Sequence, residues 1–119
     1  MQIIQVTDDK RRPGNNPAFV GPVLTQDIVS DDMAQLLRVT EVTFLPRARN
    51  KWHMHAADQV LIVTAGRGII ATEAEERTIT PGDVVLITAG EKHWHGATAE
   101  TAMTHLAVLT PGPMTVFDE

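Results

Sequence analysis

The sequence predicts an all-β fold, a sandwich or barrel in a single domain, and three observations carry that prediction. Short runs rich in Val, Ile and Thr recur along the 119 residues, with Pro, Gly and Asp turn signals roughly every 8–12 residues. Helical periodicity is almost absent, so no long amphipathic stretch competes for the core. No repeat, low-complexity segment or linker marks a second domain, and a chain of this length suits one.

Taken in order, residues 2–6 form a short first strand. Residues 8–17 are polar and contain Pro13, Gly14 and Pro17, which makes them a loop, with Lys10-Arg11-Arg12 as a solvated charge run. Residues 19–24 form a strand interrupted at Pro22. Proline lacks the N–H a central strand needs, so this strand lies near an edge or a bulge. Residues 27–35 make a turn or one short helical piece, and Asp31-Asp32 suits the positive end of such a piece.

Residues 36–45 are a long β-branched run and form a strand. A polar loop at 46–51 leads into a short strand at 52–55. Residues 60–64 form a strand that ends in the glycine turn 65–68, and residues 69–72 return as the next strand. The charged stretch 73–77 has the look of a hairpin tip and is read as a solvated loop. Residues 78–80 lead into Pro81-Gly82-Asp83, a strong turn signal. A buried strand follows at 84–88, then a turn at 89–92. His93-Trp94-His95 precedes a surface turn at Gly96. Residues 101–109 form a strand, and Pro111-Gly112-Pro113 closes the domain before a short tail.

Composition narrows the function. There is no cysteine, which excludes disulfides and thiolate metal sites and leaves imidazole, carboxylate and amide as ligands. That usage fits a reducing cytoplasm, the expected location. The formal net charge is -5, which argues against a nucleic-acid partner. Tyrosine is absent, so no phenol serves acid chemistry, and aromatics are too few for base stacking. No apolar run approaches the roughly 18 residues of a membrane helix. The N-terminus lacks the basic region and apolar core of a signal peptide. A small molecule is the expected partner.

Chemistry concentrates between Trp52 and Gly66. Four of the five histidines form His-x-His pairs, His53/His55 and His93/His95, and the fifth is His105. On a strand, side chains alternate between faces, so His53 and His55 point one way and Trp52 and Met54 the other. Gln59 has the same parity, across the turn-like Ala56-Ala57-Asp58. His53, His55, Gln59 and His93 can supply three imidazole nitrogens and an amide oxygen to one divalent cation. Four such ligands on an octahedral ion leave two positions for water or substrate. Three histidines also suit tetrahedral zinc with one open position, so spacing does not choose the metal.

These residues also carry a resemblance to the cupin superfamily. The family's first motif (glycine, His-x-His, an acidic residue, glycine) falls here on Arg47, His53-Met54-His55, Gln59 and Gly66. Its second falls on Gly82, Thr88-Ala89-Gly90, His93 and Ala97. The spacing matches throughout. Arg47 replaces a glycine, Gln59 the acid, Thr88 a proline and Ala97 an asparagine. The resemblance implies a double-stranded β-helix, the cupin or jelly-roll barrel, over residues 1–119 with a barrel core at about 35–110 and the metal inside.

A narrower resemblance covers most of the chain, from Phe19-Val20-Gly21 through 53–66, 90–97 and 101–107. It is to the small bacterial cupins that include manganese-dependent (R)-selective hydroxynitrile lyases. It implies His53, His55, Gln59 and His93 as metal ligands, with manganese first and iron, nickel, zinc and cobalt as alternatives. His105 would lie in the pocket and handle a proton, with His95 as the other candidate base. Leu109 stands at a pocket position that is polar in the lyases. A homodimer is also implied by the resemblance.

Gln59 matters because a glutamate would cancel one of the metal's two charges and an amide does not. The site then keeps about +2, which sharpens Lewis acidity and favours anionic ligands. Arg38 and Thr40 share a face of the 36–45 strand and are candidates to bind substrate oxygens. Trp52 and Trp94 face away from the ligands, toward core or dimer packing, and Lys92 is a solvated turn residue. Three functions stay open: a lyase of cyanohydrin-like carbonyl adducts, a quercetinase-like dioxygenase, and a non-enzymatic binding module. The complete ligand set weighs against the third, and Gln59 leans toward redox-silent chemistry.

Overall fold

The computed structural model describes residues 1–118, whose regular secondary structure is almost entirely β-strand. A single 3-10 turn spans Asp8–Lys10. The strands are β1 (Arg12–Pro13), β2 (Phe19–Val20), β3 (Val23–Val29), β4 (Arg38–Phe44), β5 (Arg49–Asn50), β6 (His53–His55), β7 (Gln59–Gly66), β8 (Gly68–Thr72), β9 (Glu76–Ile79), β10 (Val84–Ile87), β11 (His93–Ala97), β12 (Met103–Leu109) and β13 (Met114–Val116). One sheet runs β1-β3-β4-β12-β7-β10; the other runs β13-β6-β11-β5-β2, with β8 on β11 and β9 on β8. From β6 onward the chain alternates between sheets: β7, β10 and β12 lie in the first, and β6, β8, β9, β11 and β13 in the second. That winding is the jelly-roll expected from the sequence. No helix of the described residues is long and apolar enough to cross a membrane.

Several elements differ from expectation, each for a physical reason. Residues 2–6 form no strand: Ile3 is 87% exposed and the segment meets no sheet edge, so β-propensity alone leaves it extended. The supposed turn at 27–35 begins as the end of β3, because Asp27 and Val29 pair with Thr40 and Val39 of β4. Arg49 and Asn50, read as loop, form β5 between β2 and β11. Residues 69–72 do not return beside β7; the chain crosses at Arg67 to the other sheet. The surface turn at Gly96 is absent, and β11 runs buried through Ala97. The tail pairs with β6 as β13. The 84–88 strand is not buried on both faces, since Val84 and Leu86 are each 63% exposed on an edge strand.

The basic triplet is not purely solvated either. Arg11 Nε donates to Glu41 Oε1 at 2.8 Å, and Gln26 Nε2 donates to the same oxygen at 2.8 Å. Burial would raise the Glu41 carboxyl, but these hydrogen bonds and the guanidinium charge outweigh it and lower its pKa. The pair pins the N-terminal arm to β4. Lys92 lies 4.5 Å from the Phe117 ring centroid and 5.6 Å from that of Trp52, so it caps an aromatic surface rather than a bare turn.

The core lies between the sheets, where Phe44, Leu61 and Met103 are fully buried among Val42, Val63, Ile70, Ile79 and Ile87. Each such side chain contributes roughly 1.5–3 kcal/mol on leaving water. Two motif positions set the corners. Gly66 has φ +76, and a Cβ there would lie 1.9 Å from the Ala102 carbonyl oxygen, so only glycine fits the crossing. Arg47, where the cupin motif has glycine, carries φ 73, a left-handed backbone that costs a side chain about 1–2 kcal/mol. Arg47→Gly recovers that strain less the extra chain entropy of glycine. We expect a net gain of about 0.5–1 kcal/mol, read from the urea midpoint.

Candidate metal centre

β6 and β11 bring the two histidine pairs together, because His53 and His93 are direct cross-strand partners. Their ring centroids lie 4.2 Å apart, with His55 at 5.1 Å from His53 and 5.7 Å from His93. One ring nitrogen of each histidine lies within 4.8 Å of the others. Nitrogens that share one ion at about 2.1 Å lie no more than about 4.2 Å apart, so the rings would have to draw slightly closer to hold a cation. Gln59 arrives from the opposite sheet, at the start of β7.

The hydrogen bonds orient these rings. His53 Nδ1 lies 2.8 Å from the Lys51 carbonyl and His93 Nδ1 lies 2.8 Å from the Glu91 carbonyl. A carbonyl only accepts, so each Nδ1 carries the proton and each Nε2 keeps its lone pair, the arrangement metal-ligating histidines use. Among the described residues, His55 Nε2, Gln59 Oε1 and His93 Nε2 are buried without any hydrogen-bond partner. Buried polar atoms are rarely left so. Three unsatisfied lone-pair atoms converging from two sheets fit a cation, and the all-neutral donor set suits a first-row divalent ion.

Burial pushes the pKa of His53, His55 and His93 down from the usual 6.5 to about 4, with neighbouring rings adding to the effect. Burial takes His105 to about 4 and His95 well below its ordinary value. The sign follows from linkage: the unfolded chain protonates near 6.5, the folded one only near 4. Stability of the metal-free protein is therefore complete above about pH 6.5 and lost progressively as pH falls toward 4. His105 alone, fully buried, contributes on the order of 3 kcal/mol to that loss. The urea midpoint of metal-free protein should thus fall markedly between pH 7.5 and 5.0; a flat profile would show the rings to be solvated.

A cavity of about 440 Å³ opens over the cluster, and His53, His55 and Gln59 line it together with His95 and His105. His93 belongs to the cluster but is fully buried and is not part of the cavity wall. Arg38 and Thr40, which share a face of β4, line this wall, and so does Leu109. Arg38 forms an ion pair with Asp31. Val42, Phe44, Ala107 and Met114 supply apolar surface. Trp94 faces away from the ligands, with the Arg49 guanidinium 3.6 Å from its ring centroid.

His95 and His105 are not surface groups. They are 4% and 0% exposed, and His105 Nε2 lies 3.2 Å from His95 Nδ1. Phe44 packs edge-on to His95 at 5.6 Å. A register shift between β12 and β7 falls between Thr104 and His105, and such a bulge re-aims a side chain next to a site. Sequence reading missed Asn50, whose side chain meets His95 inside the site. It sits in a polar stretch with no motif, and only its pairing across β11 reveals it. Gly96 makes that approach possible, since a Cβ there would lie 2.6 Å from the Ala48 carbonyl oxygen.

This chain belongs to the cupin family: the Cupin_2 cupin-domain profile matches residues 40–109. Within it, the chain is 47% identical over 98 residues to a protein of Granulicella tundricola named (R)-mandelonitrile lyase, covering 80% of this chain and 75% of that one. Among solved structures, a cupin-like protein from Thermotoga maritima superposes with TM-score 0.86 at 31% identity, over 95% of this chain and 89% of that one. The polyketide cyclase RemF from Streptomyces resistomycificus superposes with TM-score 0.84 at 16% identity, over 99% and 87%, and so shares the fold alone.

Proposed function

We propose that this chain is a metal-dependent lyase that cleaves or forms cyanohydrin-type adducts of small carbonyl compounds. The observation that carries the reading is the set of buried, unpartnered lone pairs on His55, Gln59 and His93, converging with His53 beside a cavity. The (R)-mandelonitrile lyase of Granulicella tundricola supports the choice of reaction.

In this reading His53, His55 and His93 hold a divalent cation through imidazole nitrogen and Gln59 through its amide oxygen, with manganese the first candidate. When bound, that cation supplies Lewis acidity toward a substrate oxygen or cyanide. The ligand set carries no negative charge, which suits an anionic product. The apolar wall of Val42, Ala107, Leu109 and Met114 accepts the aryl or alkyl group of the carbonyl compound. Arg38 and Thr40 lie on the same wall and are the groups for further substrate oxygens. His105, with His95 behind it, is the polar pair we assign to the hydroxyl and cyanide end.

The test incubates protein of measured metal content with each enantiomer of mandelonitrile and follows benzaldehyde by absorbance. Oxygen uptake is recorded in parallel with a flavonol or diketone. We expect benzaldehyde release that favours the R enantiomer, disappears on chelation and uses no oxygen. Oxygen consumption without cyanohydrin cleavage would make the chain an oxygenase, and no turnover in either assay would make it a binding module.

A further inference from the structure

We infer that Arg38 sets substrate specificity, and that the carbonyl compounds this cavity takes carry a carboxylate at the end remote from the metal ligands. The inference rests on the reading of the cavity as the substrate site and narrows the substrate class.

The geometry is one row of residues across the first sheet. Leu109 of β12 pairs with Gln59 of β7 on one side and with Arg38 of β4 on the other. Residues directly opposite on antiparallel strands project from the same face, so these three stand side by side. All three line the cavity. Neighbouring strands lie about 4.8 Å apart, which sets the Gln59 and Arg38 backbones about 10 Å apart. Gln59 marks the metal end of the row. Leu109 in the middle offers only apolar surface. Arg38 at the far end is the only permanently cationic side chain lining the cavity. The row matches a ligand of three parts: a carbonyl group at the metal end, one ring or short chain over Leu109, and an anion at the guanidinium. A volume of about 440 Å³ falls in the range that encloses drug-sized ligands, so there is room for the third part.

The guanidinium is preset for this role. Arg38 Nε donates to Asp31 Oδ1 at 3.0 Å, and Nη2 donates to the same oxygen. The guanidinium donors lie in one plane, so Asp31 fixes that plane through two of them. Among the described residues Nη1 has no partner. The edge formed by Nη1 and Nη2 can therefore take both oxygens of a second carboxylate. The Arg38 side chain is 34% exposed, so a ligand can reach it. Asp27 also lines the cavity, but it pairs with Thr40, one row further along β4. It repels an anion placed there, which confines the negative end of the ligand to the Arg38 row.

The experiment compares 4-carboxybenzaldehyde with its neutral isostere 4-formylbenzamide and with benzaldehyde. Dissociation constants are measured at pH 7.5 by ligand-observed NMR on zinc-loaded and on metal-free protein. We expect the carboxylate to bind about tenfold more tightly than the amide, the low end for a charge-assisted pair because Asp31 and solvent share the guanidinium. The preference should hold with and without zinc. Arg38→Met should abolish it, and Arg38→Lys, which keeps the charge, should recover part of it. Affinities within about twofold of each other in the unaltered protein overturn the inference, and that comparison needs no variant. A preference that vanishes with the zinc puts the carboxylate on the cation, and one that survives Arg38→Met seats it elsewhere; either result overturns the inference too. Cyanohydrin turnover is no part of this readout. A chain that binds as expected and cleaves nothing would sink the lyase reading and leave this one standing.

Discussion

Replacing His53 by alanine is expected to remove the metal and the turnover together. His53 is 2% exposed, and its ring stands 4.2 Å from that of His93 and 5.1 Å from that of His55, so it is the member nearest both others. Its Nδ1 is held by the Lys51 carbonyl, which fixes Nε2 as the ligand atom. Losing an outer partner of a metal ligand already costs about 10–100-fold in affinity, and losing the ligand costs more. Deleting this buried ring leaves a cavity and costs stability, so folding is checked alongside metal content. Elemental analysis after dialysis, beside circular dichroism, is the check. One equivalent of metal retained by a folded, dialysed His53→Ala would break the ligand assignment.

The second large effect is on rate without metal. His105→Ala should keep its metal, since Nε2 of that ring is engaged by His95 and not by the cluster. Turnover should fall by roughly 10²–10⁴, the usual loss when a positioned donor or proton group goes. Deleting a fully buried ring also opens a cavity beside Phe44, at a cost of about 2–5 kcal/mol. His105→Phe is therefore the companion variant: it fills the space and offers no nitrogen. Both variants should show the same loss of rate at unchanged metal content. A rate within about twofold of the unaltered protein in His105→Phe would make the ring structural.

Much of the site was legible because strand parity is a local property. Odd-numbered His53 and His55 had to share a face, and the second pair matched their spacing to a known motif. Arg38 and Thr40 reached the cavity for the same reason, being alternate positions of β4, whereas Leu109 at the end of β12 was suggested only by the family resemblance. Asn50 was not legible. Its meaning depends on β5 lying against β11 across the close approach at Gly96, which brings Asn50 to His95, 45 residues away in sequence. The exposed face of β10 was missed likewise, since an apolar run looks the same whether or not another strand covers it.

What the sequence alone determined was the β-architecture, most of the glycine and proline turns, and the identity and common face of the metal-binding candidates. Those follow from residue chemistry and a period of two along a strand. What only the tertiary structure decided was which strands became neighbours: that residues 2–6 found no partner, that the chain crossed sheets at Arg67, and that His95, His105 and Asn50 formed one buried chain of hydrogen bonds. The reason is that pairing and burial are properties of two surfaces brought together. Neither surface carries them by itself.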